Sequence, residues 1–199
     1  MTFGRFALAL VCLMTVTIIL TSARGLPPKR PATFWHVNFT RPDFRLGPIV
    51  ANWRAGISKV NPDEMGSYFQ GDIMLPEKPP TMTRNGVDYA VYQWTEGIVP
   101  YVIDSTIGST QLAIINQAIS AIQAQTCVKF VPRTTQTDYV KVQNQNSGCW
   151  SYVGRKGGMQ ELNLQTNGCH IVPNAPIGQR TAMTTGDITR IKGMYNCPA

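Results

Sequence analysis

Two histidines, His36 and His170, and the cysteines Cys127, Cys149, Cys169 and Cys197 are the side chains of this 199-residue chain whose types most readily ligate a metal or form a nucleophile and base pair. A hydrolytic zinc needs about three protein ligands, an open position for water and a group that receives the water's proton. No His-x-x-x-His pair exists to begin such a site. Neither histidine has the Ser, Cys or Asp partners that would rescue a different peptidase mechanism, and His170 reads as a loop histidine. No catalytic residue and no metal ligand is therefore assigned to residues 85–199. The fifth cysteine, Cys12, lies in an apolar N-terminal run, which leaves an even number beyond it. In an oxidising compartment that count predicts two disulfides rather than a metal cluster, with the pairing left open by number alone. Asn38-Phe39-Thr40 is an N-glycosylation sequon, with Asn38 as its acceptor.

The elements that position these residues follow from composition. Residues 1–5 carry one basic side chain, residues 6–20 are almost wholly apolar, and small residues surround Ala23 and Gly25. That layout predicts a signal peptide over 1–25, too short in its apolar run to cross hydrocarbon, and hence a secreted, extracellular chain with no membrane span. Residues 26–59 show no helical or strand period, and Lys78-Pro79-Pro80 leads into Thr83-Arg84. Residues 26–84 are read as a propeptide cleaved between Arg84 and Asn85, and 85–199 as the folded domain. Of the formal charge of +7, residues 85–199 carry only +2, from 8 basic and 6 acidic side chains. No basic stripe remains to neutralise phosphates, which excludes nucleic acid as a partner, and Arg155-Lys156 reads as a solvated turn.

Within that domain, 98–104 predicts a first strand, with Pro100 marking a strand start or an edge. Ser109 is the expected cap of a helix whose Leu112, Ile115, Ala118, Ile119 and Ile122 recur at three and four residues. Strands are expected at 128–131, 139–142, 149–153 and 159–164, with turns at 144–148 and 154–158. Thr184 with Asp187 forms a capping box ahead of an inner stripe of Ile188, Ile191, Met194 and Tyr195. The fold class is α+β, a twisted mixed sheet with a packed helix.

At Thr126-Cys127-Val128-Lys129-Phe130-Val131-Pro132-Arg133, Asp138-Tyr139-Val140, Gly148-Cys149-Trp150-Ser151-Tyr152-Val153-Gly154-Arg155 and Leu162-Asn163-Leu164-Gln165, the chain resembles the N-terminal half of the astacin family of secreted zinc metalloendopeptidases. The likeness resumes at Ile177-Gly178-Gln179-Arg180 and ends at Tyr195-Asn196-Cys197. The resemblance implies a metzincin-type N-terminal subdomain, zinc as the family's cofactor, and disulfides Cys127–Cys197 and Cys149–Cys169. It further implies that Cys149, Trp150, Ser151, Tyr152, Val153 and Gly154 form an edge strand that pairs with an extended peptide or protein substrate. Phe69-Gln70-Gly71-Asp72 is similar to the family's propeptide motif, in which the aspartate ligates zinc in the latent form; without a histidine cage, Asp72 is expected to act as a turn-forming carboxylate. The signature His-Glu-x-x-His-x-x-Gly-x-x-His is missing between Cys169 and Ile177. The chain is accordingly expected to be a truncated, catalytically inactive member that binds no zinc, its C-terminal subdomain mostly deleted. The alternatives are a secreted zymogen of an active enzyme and a non-catalytic peptide-binding fragment. Loss of covering surface leads to an expectation of marginal folding and non-specific self-association in 85–199.

Overall fold

The computed structural model describes residues 42–52, 68–69, 71–75, 90–165 and 183–198. The signal peptide, His36, Asn38, the Arg84-Asn85 junction, Cys169 and His170 lie outside the described residues. The elements in chain order are α1 (Leu46–Ala51), β1 (Ile73–Met74), β2 (Ile98–Ile103), α2 (Ser109–Gln125), β3 (Lys129–Pro132), β4 (Tyr139–Gln143), β5 (Cys149–Tyr152), β6 (Met159–Leu164) and α3 (Thr185–Met194). The six strands form one mixed sheet in the order β1-β5-β6-β4-β2-β3, parallel throughout except for the antiparallel β5–β6 pair. The fold is α+β.

The helical stripe faces the sheet. Ile115, Ala118, Ile119 and Ile122 are buried and Leu112 half-buried, packed against Val99, Phe130, Val140, Val142, Leu162 and Leu164. Ser109 is not the cap of α2. Gly108 holds that position, and its N–H donates to Gln111 Oε1 at 2.7 Å, so a side chain three residues on replaces the expected serine. Pro100 is not at an edge either, because β2 lies between β4 and β3. The N–H and C=O of one strand residue point the same way. Tyr101 O accepts from Arg133 N on the β3 side, so position 100 faces β4, whose register begins only at Tyr101. The missing donor therefore breaks no ladder bond. At the C-terminus, Thr184 Oγ1 accepts from Asp187 N, and Asp187 Oδ2 accepts from Thr184 N at 2.9 Å, forming the expected box. Ile191 is buried, with Ile188 and Tyr195 packed beside it.

Cys127 is joined to Cys197 across 70 residues, with Cα atoms 5.3 Å apart. On a chain-entropy account a loop of that length contributes roughly 4 kcal/mol. Cys149 is also disulfide-bonded.

Residues 42–75 depart most from expectation. They contribute a helix and a strand to the fold where no period was legible. Leu46, Tyr68, Ile73, Met74 and Leu75 form a second buried cluster with Trp150, Tyr152 and Val153. The apolar surface beside β5 is thus covered in the full chain by its own N-terminal segment.

At the far end of β2, Lys141 Nζ lies 2.7 Å from Asp104 Oδ2. The Lys141 ammonium, helped by the Thr106 N–H and hydroxyl, pulls the Asp104 carboxyl down to about 2. A carboxyl lower in the folded than in the unfolded chain stabilises the fold above its unfolded value near 4, and that contribution disappears as pH falls toward 2. For a partly solvated pair it is on the order of 1 kcal/mol. In urea titrations, Asp104→Asn should lower the unfolding midpoint at pH 6 and leave it nearly unchanged at pH 2. Ile122→Ala, emptying a fully buried site in the main core, should cost about 3 kcal/mol at both pH values.

Candidate peptide-binding site

β5 owes its place to two neighbours. On one side Cys149, Trp150 and Ser151 pair with Leu164, Asn163 and Leu162 of β6. On the other, β1 runs parallel to it, with Ile73 opposite Ser151 and Met74 opposite Tyr152. Ser151 N donates to Asp72 O at 3.0 Å and Val153 N to Met74 O at 3.3 Å. The strand expected to be a free edge is therefore the second strand of the sheet, because the chain's own segment takes the hydrogen bonds that an extended peptide would take.

The approach of that segment is set by a tight turn. Phe69 and Ile73 exchange N–H···O bonds of 3.0 Å in both directions, and Gly71 N donates to Tyr68 O at 3.0 Å. Gly71 sits at φ 100°, a region that any side chain would strain. Asp72 follows in the turn and delivers its carbonyl to β5. Trp150 and Tyr152 alternate onto the face where Tyr68 lies, with the Tyr68 and Trp150 rings 6.2 Å apart. Both are buried, so in this chain they serve packing. Burial also pushes the Tyr68 hydroxyl up to about 12, which keeps it neutral as it accepts the Asp43 N–H.

The base of the site is a polar layer that the sequence reading did not single out. Asn163, fully buried, donates to Gln145 O, Ser147 Oγ and Gly148 O and accepts from Gln145 N. Ser147 Oγ in turn accepts the Trp150 indole N–H at 3.0 Å. These bonds fix the turn before β5. The turn after it is fixed by Arg155, which is not a solvated turn residue: its guanidinium donates to Gln93 O, Val91 O and Asp138 Oδ2, and its backbone N to Tyr92 O. The Gly158 N–H and the Arg155 guanidinium both hold the Asp138 carboxyl below its ordinary range. The signal that could have found these residues is the recurrence of Gln and Asn at strand positions in Gln160, Asn163 and Gln165, where a solvated strand would tolerate any polar residue.

No group of three or more His, Cys, Asp or Glu able to hold a metal occurs among the described residues. No helix among them is long and apolar enough to cross a membrane.

Residues 86–175 match the Astacin peptidase family. This segment belongs to the astacin family. It includes β2 to β6 and α2, while β1 comes from upstream of it. High choriolytic enzyme 2 of Oryzias latipes is 44% identical over 119 residues, covering 56% of this chain and 40% of that protein. Zinc metalloproteinase nas-8 of Caenorhabditis elegans is 38% identical over 110 residues, covering 51% of this chain and 27% of that protein. The chain spans well under half the length of these relatives. The solved structure of high choriolytic enzyme 1, a hatching enzyme zinc-protease from Oryzias latipes, is similar at 26% identity with a TM-score of 0.46, covering 53% of this chain and 94% of that one.

Gly71→Ala should strain the turn that feeds β1 and weaken its pairing. Amide hydrogen exchange is expected to accelerate about tenfold or more at Ser151 and Val153, while Leu162 and Leu164, which do not touch β1, remain protected.

Proposed function

We propose that this chain is a secreted astacin-type module in a self-occupied state, with residues 73–74 lying in the peptide-binding position along β5, and that it does not itself hydrolyse peptides. The observation that carries the reading is the parallel pairing of Ile73–Met74 with Ser151–Tyr152, entered through the Gly71-Asp72 turn. A strand added at an exposed sheet edge gains affinity from main-chain bonds and specificity from alternate side chains. Here Asp72 O and Met74 O supply the bonds, and Ile73 and Met74 supply the buried side chains. The occupant competes with any extended peptide for the same two N–H donors. Removal of residues 26–84 by cleavage at Arg84-Asn85 would free that edge.

The donor set of the chain does not fit the family's catalytic zinc. His36 and His170 are its only histidines, and Cys127, Cys149 and Cys197 are all in disulfides. Three ligands with an open water position cannot be assembled from histidine and thiolate in this set. Asp72 is left with a structural part, placing its carbonyl on Ser151. The function supported is reversible occupation of an extended-peptide groove, with an extended peptide or protein as the partner and the extracellular space as its setting.

Purified full chain, and the same chain cut between residues 75 and 90, should show no zinc-dependent cleavage of a mixed denatured-protein substrate above a chelator-treated control. Reproducible turnover that zinc restores after chelation would overturn the non-hydrolytic assignment. Binding of extended peptides to the cut chain, and not to the intact one, is the expected positive result.

A further inference from the structure

The N-terminal segment touches the astacin segment at a second place, away from the strand groove. α1 has only six residues and no side-chain cap, too few for a helix that is stable by itself in water. It is held by a socket built from the turn before β5 and from Gln165. A Cβ at Gly47 would overlap the carbonyl oxygen of Asn146, so the helix backbone lies directly on the turn at a point where only glycine fits. Gln165, 5% exposed, uses both ends of its amide. Its Nε2 donates to Gly47 O at 2.8 Å and Asn146 Oδ1 at 3.0 Å, and its Oε1 accepts from Gly148 N at 2.6 Å. Leu46 and Val50 are buried over Gly148, whose φ of 84° suits glycine and whose added Cβ would lie 3.4 Å from Leu46 Cβ. Phe44 and Ile49 remain exposed on the other side of the helix.

We infer that this socket is a second, metal-independent anchor for the N-terminal segment, specific for an apolar helical turn carrying glycine at position 47, and that it retains the segment after the chain is cut downstream of Leu75. The inference rests on the reading of residues 42–75 as an occupying segment, and it adds a regulation to that reading. Two linked contacts bind more tightly than either alone, because the second forms at high effective concentration once the first is made. The socket's chemistry is main-chain carbonyl, carboxamide and aliphatic surface. None of these groups titrates or ligates zinc under ordinary conditions, so cleavage, chelation and mild acid should all leave the helix in place. Release of the segment then requires breaking the socket as well as the strand pairing.

The test uses the full chain with a site-specific protease sequence replacing residues 80–86, cut and then passed over a sizing column. The N-terminal piece of the otherwise wild-type chain is expected to co-elute with residues 90–199. In Gly47→Ala and in Gln165→Glu, which keeps an acceptor for Gly148 N but sets a carboxylate against Gly47 O, it should dissociate at least tenfold faster. Ile49→Ser, on the exposed side, should behave as wild type. Hydrogen exchange on the uncut variants supplies the control for folding: Ser151 and Val153 should stay protected while amides of 46–52 exchange faster. Retention of the piece by Gly47→Ala and Gln165→Glu as tight as in wild type would overturn the socket. Loss of the piece from wild type with Ser151 and Val153 still protected in the uncut chain would also overturn the socket and leave the strand reading standing. Fast exchange of Ser151 and Val153 in the uncut wild type would instead remove the self-occupied reading on which the inference rests.

Discussion

A strand with backbone donors and acceptors on both sides must find two partners or leave one row to water. β5 meets that constraint with unlike neighbours: β6, joined to it by a short connection, and β1, which arrives from far upstream in the opposite sense. Much of the molecule follows from this asymmetry. The β6 side is fixed by local chain geometry and cannot be exchanged. The β1 side is a contact between segments separated by more than seventy residues, and it lasts only as long as the turn at Gly71 and the buried cluster around Tyr68 and Trp150 favour it.

The polar layer beneath β5 makes this exchangeable side accurate. An extended segment can be read by its main chain only if the recipient strand is held to a few tenths of an ångström. Asn163 at the leading turn and Arg155 at the trailing turn do this from opposite ends, each with its bonding capacity directed at backbone atoms. Buried amides and guanidinium groups are expensive to leave partly satisfied, and their near saturation here ties both turns to one geometry. Gln143 is the exception, with its Oε1 buried and without a hydrogen bond.

The central elements were legible because their signals are periodic. The stripe from Leu112 to Ile122 and the Thr184 capping box each depend on spacing within one segment, and spacing is what a sequence displays. Ser109 and Pro100 misled for a common reason. Each is a residue with a strong local preference whose actual position was decided by a neighbour, Gln111 in one case and the late start of the β4 ladder in the other. The helix at Leu46–Ala51 was invisible because its stability comes from Gln165 and the 146–148 turn, over a hundred residues away. Arg155 was read as solvated because its three carbonyl and carboxylate acceptors come from segments that no short window contains. The site followed the same rule: the strand sequence identified the recipient, and only the folded chain reveals the occupant.

The ends of the stretch between β6 and α3 are pinned. Leu164 at one side and Met183 at the other belong to the same buried core, and the Cys127–Cys197 bond secures the helix that follows. The free energy of closing a loop between two fixed points rises only with the logarithm of its length, about 0.6 kcal/mol for each doubling. From the standpoint of the core, whatever joins Gln165 to Met183 is a cassette: lengthening or shortening it alters the closure entropy slightly and leaves the packing of α2 and α3 on the sheet untouched. A scaffold built this way can carry chemistry in one splice form and bare recognition in another without being redesigned.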